Sequence, residues 1–428
     1  MRRISMIILV LLLLAVTPTF AQSDLNISGF LQSLYGGRLD KNNPTNTEQT
    51  ASETRLQLRL EHFGDRGEFF GRLDFYYDGA DSSQYDWELR EGYMKFRMGN
   101  NFDFKIGRQV LTWGTGDLIF INDVFAKDYY SLFIGRDDQY LKAPQNALRM
   151  EYYNPLGSFS FVWTPRFEPN RLPQGERLSY FNPMANSGRG AIVGTGIDPS
   201  YYFDPPVPEP KFKNSEIATR YQRSVGNFKT ALYFYHGFYK NPFGFDPINM
   251  TAVYPKLNLY GASLRGAVFS GVLWLEGGYY DSRQDKNGDN PFMPNSSVSG
   301  LMGFERQVAT DLTVNAQWQL SYMLDYDNYK AQQQQMNPQG YIRDEIYHLL
   351  TSRVTQKLNS ETIILSGFVF YSPSDADVYA LVSAEYKYTD EITLKVGSNI
   401  FDGKHQSTDF GQFAKNDNVY FKMTYGFQ

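Results

Sequence analysis

Charged side chains recur at every second position along several stretches of this chain. Arg55, Arg59 and Glu61 alternate with Leu56, Leu58, Leu60 and His62, and Arg72 stands two residues from Asp74. Successive side chains of an extended strand point to opposite faces, so this spacing puts charge on one face and apolar groups on the other. Opposite the apolar face, the readable stretches collect Arg55, Arg59, Arg72, Lys105, Arg149, Arg220, Lys229, Arg265, Arg353, Lys357, Lys395 and Lys422. Against them stand Glu61, Asp74, Glu151, Glu216, Glu276, Glu305 and Glu385. Lining an enclosed passage, such a net basic wall would focus the field and enrich anions. That chemistry is selection of solutes, not bond-making. The other reading of the same residues is cross-lumen salt bridges that hold the wall, and the sequence leaves both open.

A second group lies between residues 110 and 146, which read as a loop. It holds Trp113, Asp117, Asn122, Asp123, Lys127, Asp128, Tyr129, Tyr130, Arg136, Asp137, Asp138, Tyr140 and Lys142. Rings that stack on apolar faces, mixed with charges that orient polar groups, suit a constriction for sugars or amphipathic organics. Structureless loops of this length are uncommon in compact folds, and the run Leu118-Ile119-Phe120-Ile121 needs burial. The loop is therefore expected to fold inward.

Other chemistries find little support. Gly188 to Gly196 is glycine-rich but lacks the Gly-Lys-Ser/Thr ending of a phosphate loop. The four histidines, His62, His236, His348 and His405, are far apart, and no Ser-His or Asp-His pairing suits a hydrolase. Asp137-Asp138 sits in no calcium-loop signature. The chain contains no Cys, which excludes disulfides, thiolate metal sites and a lipid-modified N-terminal Cys. No catalytic residue, metal ligand or cofactor is expected, and the chain does not read as an enzyme.

The elements that would position these groups are strands. Leu312, Val314, Ala316, Trp318, Leu320 and Tyr322 alternate with polar residues, as do Ile392, Leu394, Val396 and Ile400. Val419, Phe421, Met423, Tyr425 and Phe427 close the chain in the same way. Turn chemistry rich in Gly, Asn, Asp and Pro recurs at 64–67, 99–101, 154–157, 226–227, 270–271, 310–311, 359–361 and 389–391. Between these turns fall longer connections, near 36–53, 78–86, 110–146, 164–215, 240–256, 282–297, 323–341, 372–377 and 402–417. Residues 164–215 hold nine of the 20 prolines and read as an irregular external loop; Gln332–Gln335 reads as a polar tract in another. Thr362–Tyr371 is apolar on both faces and offers no inside, although contact with a plug would account for it. Counting segments predicts about 18 strands. Short turns on one side and long loops on the other are the asymmetry of transmembrane barrels, with the first strand, Leu25–Tyr35, pairing with the last.

Composition agrees. Tyr (32) and Phe (33) are abundant while mean hydropathy is −0.45, because only alternate residues of a barrel strand face lipid. Arg2 and Arg3, the apolar run Met6–Val16 and Thr19-Phe20-Ala21 read as a signal peptide cleaved after Ala21. Its loss makes the mature charge two units more negative than the −5 of the full chain, which argues against a nucleic-acid partner. No later stretch approaches the length of a helical membrane span.

Three passages carry a resemblance. Gly107-Arg108-Gln109 is followed by Trp113-Gly114, and a long loop continues through Asn122-Asp123 and returns at Lys142-Ala143-Pro144 into Leu148–Tyr153. The C-terminal passage holds Asn399-Ile400-Phe401-Asp402-Gly403, Phe410-Gly411-Gln412-Phe413 and Asn418-Val419-Tyr420. Together these resemble Gram-negative outer-membrane porin-like barrels of the alginate-export and DUF1302-like type, although Gln428 follows the usual terminal aromatic. The resemblance implies that the loop after Trp113 enters the pore. The expectation is an all-β transmembrane antiparallel barrel, residues 22–428, behind a signal peptide at 1–21. It would be an outer-membrane channel for small polar or anionic solutes, constricted by the 110–146 loop, in contact with lipid, lipopolysaccharide and the barrel assembly machinery. The alternative is an export conduit for polysaccharide or lipid-like cargo with a periplasmic or inner-membrane transport partner.

Overall fold

Each alternating stretch forms a strand in the computed structural model, which describes residues 25–45, 47–64, 67–81, 84–336 and 340–428. The signal peptide expected at 1–21 lies outside these residues, as do Asp65 and Arg66 of the first turn. The strands are β1 (Leu25–Arg38), β2 (Gln49–Gly64), β3 (Gly67–Asp78), β4 (Tyr85–Met98), β5 (Phe102–Val110) and β6 (Pro144–Asn154). There follow β7 (Gly157–Thr164), β8 (Glu216–Val225), β9 (Phe228–Phe238), β10 (Lys256–Val268), β11 (Gly271–Ser282) and β12 (Ser297–Ala309). The last are β13 (Leu312–Met323), β14 (Ile346–Leu358), β15 (Ile363–Ser372), β16 (Asp377–Lys387), β17 (Ile392–Gly403) and β18 (Asn418–Phe427).

Every strand pairs antiparallel with its chain neighbours, and β18 pairs with β1 from Gly29↔Phe427 to Arg38↔Asn418. The 18-stranded sheet is therefore a closed cylinder with no unpaired edge, the form a sheet must take in lipid. Among the described residues the turns fall at, or within one residue of, the positions their chemistry marked. The β10–β11 turn is centred on Phe269 and Ser270, both at positive φ (52° and 58°), the geometry that matches strand twist in a two-residue hairpin.

The outer face exposes Trp87 (59%), Met94 (62%), Phe421 (50%) and Tyr425 (46%), a surface that suits lipid and not water. Among the described residues no helix is long and apolar enough to cross a membrane; strands make the crossings. The interior holds two apolar clusters, built jointly from the inner wall and the β5–β6 loop. The ambiguous Thr362–Tyr371 segment is resolved here. Phe368 and Phe370 of β15 face inward, and Phe370 stacks on Tyr379 at 5.5 Å. Two loops contain more structure than their sequences suggested. Residues 165–215 include a hairpin, Tyr180–Asn182 with Ala191–Val193, and Gln332–Gln335 lies on a helix, Tyr326–Met336.

Candidate functional site

The β5–β6 loop, residues 111–143, leaves the wall after Val110 and makes hydrogen bonds half-way round the cylinder. A chain rooted at β5 and β6 reaches β13 and β14 only by crossing the interior. Its first limb is held by Glu276 of β11. Oε1 accepts from Gly116 N (2.9 Å), Thr115 Oγ1 (2.8 Å) and Thr115 N, and Oε2 accepts from Asn122 N (3.3 Å) and Asn122 Nδ2 (3.1 Å). Gly114, at φ +80°, lets the backbone approach this carboxylate; a Cβ there would stand 3.0 Å from Oε1. Gln317 of β13 then exchanges two 2.8 Å bonds with the Asp117 backbone, and Arg353 of β14 grips the Asp117 carboxylate through Nε (2.7 Å) and Nη2 (3.0 Å). Ile119 and Ile121, from the run that needed burial, are buried in the larger apolar cluster.

The tip of the loop is a short helix, α1 (Tyr129–Phe133), capped by Asp128, whose carboxylate accepts from Ser131 N at 2.7 Å. Phe133 inserts between Tyr379, Phe401 and Phe413, with ring centroids 5.0–5.3 Å away. Its carbonyl accepts from Asn399 (3.1 Å) and Asn418 (3.0 Å), so the tip is fixed to β17 and β18. Gly135, at φ +85°, lies against Tyr420; a Cβ would come within 2.4 Å of the ring.

The return limb is held by charge. Asp137 pairs with Lys422 of β18 and accepts from Gln32 of β1 at 2.9 Å. Arg136 donates to Glu53 of β2 at 3.0 Å, and Glu53 also pairs with Arg55. Tyr140 donates to Asp74 of β3 at 2.9 Å and lies under the guanidinium groups of Arg55 (4.6 Å) and Arg90 (4.3 Å). From above, Arg171 of the 165–215 loop joins Asp128 to Glu88 of β4.

Burial alone would raise the Asp137 carboxyl, but the Lys422 ammonium and the bonds from Lys422 and Gln32 outweigh it, leaving the group below its ordinary 3.8. A carboxyl depressed in the docked state contributes its tether above the undocked pKa and loses it as pH falls through the lower docked value. Conductance should therefore stay level from neutral pH down to about 3.8 and change only below it, as a pH series in planar bilayers would read. A step in the neutral range would count against the tether.

Cations also stand opposite one another on the wall. Lys105 of β5 faces Arg149 of β6, and Lys229 of β9 faces Arg265 of β10, each pair directly opposite in register. Arg149 has a carboxylate, Glu151, at 2.5 Å. Among the described residues Lys105, Arg220, Lys229 and Arg265 make no ion pair. Lys105 rests on the Tyr93 ring (3.6 Å), Arg220 over Trp113 (5.3 Å) and Arg265 over Trp274 (5.3 Å).

The two groups picked from the sequence thus meet each other. Arg55, Asp74, Glu276 and Lys422 are on the inner wall but buried under the loop, whereas Arg59–Glu61 and Lys395–Glu385 are in wall pairs. Arg72 pairs with Glu91. In the loop, Trp113, Asn122, Asp123, Lys127 and Asp128 are buried; Lys127 pairs with Asp123 at 2.9 Å, while Asn122 meets Glu276 and Trp113 meets the Tyr233 ring of the wall. Asp117, Arg136 and Asp137 reach the wall, and Tyr130 sits beneath Arg136 and Arg177. Several anchors lie outside the two groups singled out in the sequence, Gln317, Asn399 and Asn418 among them, and three others show why. Glu53 read as loop because β2 begins at Gln49, earlier than its pattern shows. Gln32 is uncharged, although its alternation with Leu31 and Ser33 would have placed it inward. Arg90 occupies a β-bulge opposite Arg72 and Leu73, which no sequence signal marks.

A scan against protein-family models finds no match to this sequence, and neither does a search of curated sequences. Solved structures do match. OccAB4 of Acinetobacter baumannii aligns over 96% of this chain and 100% of its own, with TM-score 0.55 and 10% identity. OccK3 (OpdO) of Pseudomonas aeruginosa aligns over 94% and 96%, with TM-score 0.54 and 11% identity. The fold is that of the outer-membrane porin channels. OccAB3 of A. baumannii gives the same answer at TM-score 0.52, 9% identity and 94% and 99% coverage. At such identities the likeness establishes architecture, and residue roles rest on this chain's own geometry.

Proposed function

We propose that the chain is a porin-like channel for small polar or anionic solutes, narrowed by the loop between β5 and β6. One observation carries this reading. Cations directly opposite each other on neighbouring strands destabilise a sheet by about 0.2–1 kcal/mol relative to neutral pairs. Yet Lys105 faces Arg149, and Lys229 faces Arg265; of these four only Arg149 has a carboxylate partner among the described residues, while Arg265 donates to the Thr115 carbonyl of the loop at 3.3 Å. A wall that keeps such repulsion is suited to attract anions. Asp117 and Asp137 of the loop meanwhile are occupied by Arg353 and Lys422, so these two do not cancel this field at close range. The constriction residues are then Asp117, Arg136 and Asp137 with their wall partners, and lipid, lipopolysaccharide and the assembly machinery are the surroundings such a barrel requires.

Single-channel recording in planar bilayers tests the proposal. Reversal potentials in a KCl gradient should lean toward chloride, and deletion of residues 115–140 should raise conductance severalfold. A folded barrel with cation preference would overturn the anion reading. Unchanged conductance after the deletion would overturn the constriction. A polymer-export conduit would need this loop to swing clear of anchors on opposite walls, and the density of those anchors favours small solutes. Stable copurification with a periplasmic transport partner would reverse that preference.

A further inference from the structure

Tyr221, Leu232, Ala262, Gly277 and Gly300 lie side by side on β8, β9, β10, β11 and β12, each in register with the next. The Glu276 side chain binds the inner loop, so Gly277 is turned to the outer surface, and the row crosses the membrane-facing wall at mid-strand. Side chains dwindle along it to nothing. A Cβ on Gly277 would meet only Ser299 O, at 3.9 Å, and one on Gly300 only Glu276 O, at 3.9 Å. Tyr260 and Tyr279, with rings 6.3 Å apart, form a ridge toward the long loops, and Leu264, Leu275 and Met302 form another toward the short turns. Across β8 to β11 a groove of about 520 Å³ results, and Arg223 belongs to its lining. That volume is within the range of about 300–1,000 Å³ usual for small-ligand sites.

Arg223 is exposed on the outer face of β8, close to the Gly226-Asn227 turn, and makes no ion pair among the described residues. The short-turn end faces the periplasm in barrels of this kind. An arginine on the lipid face is costly at mid-membrane and tolerable at the interface, where its head reaches a phosphate. We propose that this groove holds one acyl chain of a periplasmic-leaflet phospholipid whose phosphate is bound by Arg223. The chain runs from the interface over Leu264 and Leu275 to the open floor at Gly277 and Gly300. Charge argues for lipid over a second copy of the protein. Arg306 of β12 is another outward cation at this end that makes no ion pair among the described residues, whereas the outward strand carboxylates among them, Asp281 and Asp402, stand at the long-loop end. Two copies meeting here would bring together cations without acids.

Native mass spectrometry of the folded barrel, titrated in detergent with palmitoyl-oleoyl phosphatidylglycerol, tests the site. The unaltered protein should retain one phospholipid. Gly277→Leu should fill the groove and abolish retention, and Arg223→Gln should weaken it about fivefold, the worth of one basic residue at an anionic lipid surface. Heat-modifiable migration on gels checks folding. Should Gly277→Leu not fold, Arg223→Gln, a surface change, decides alone. Retention unaffected by the folded variants overturns the proposal. A shift from oligomer to monomer with lipid retention unchanged also overturns it, and makes the groove a contact between copies.

Discussion

Glu276→Ala should release the first limb of the inner loop and raise single-channel conductance toward that of the 115–140 deletion. The carboxylate gathers backbone N–H groups of Thr115, Gly116 and Asn122 together with the Thr115 hydroxyl and the Asn122 amide. Each buried donor left without a partner costs about 1–3 kcal/mol. Several such losses on one limb exceed what the docking of a single loop segment can bear. The barrel itself should survive, because β11 is paired through its backbone to β10 and β12. Glu276→Gln retains an acceptor oxygen and should fall between the two. The readouts are conductance and limited proteolysis between residues 115 and 122. Unaltered conductance with the segment still protected would show that Gln317, Arg353 and the Phe133 insertion hold the loop without Glu276.

Reversing the Lys229–Arg265 pair should reverse ion selectivity. Lys229→Glu alone places opposite charges in register with Arg265, so it should stabilise the barrel by about 0.2–1 kcal/mol while weakening the preference for chloride. Lys229→Glu with Arg265→Glu restores the repulsion with opposite sign and should move the reversal potential to the cation side. Stability and selectivity then change in opposite directions in the single variant, an outcome that nonspecific damage does not produce. Thermal unfolding and reversal potentials measure the two. Chloride preference undiminished in the double variant would mean that the filter lies at the loop anchors and not on this wall.

Much of the barrel was legible because its determinants are local. Alternation of Leu56, Leu58 and Leu60 with Arg55, Gln57 and Arg59 fixes a strand and both its faces without reference to the rest of the chain. The turns were legible for the same reason, since Asn154-Pro155-Leu156-Gly157 and Thr389-Asp390-Glu391 need only their own backbone preferences. Legibility failed where the local signal was interrupted or silent. The bulge at Arg90 shifts the alternation of β4 with no residue to announce it. Phe368 and Phe370 look like their lipid-facing neighbours Val369 and Tyr371, and only the aromatic cluster around Phe133 gives them an inside.

The sequence by itself pointed to a closed cylinder of about 18 strands, to the faces of most of them and to the candidate inner loop. A period of two is a property of adjacent residues, and in lipid an alternating sheet must close. The tertiary structure decided what the inward charges do. Asp117 meets Arg353, Asp137 meets Lys422 and Glu276 meets Thr115 across separations of more than 150 residues. Those meetings exist only once closure brings opposite walls within reach of one loop. They convert part of the inward charge into anchors, and they leave Lys105, Arg220, Lys229 and Arg265 with no ion pair among the described residues.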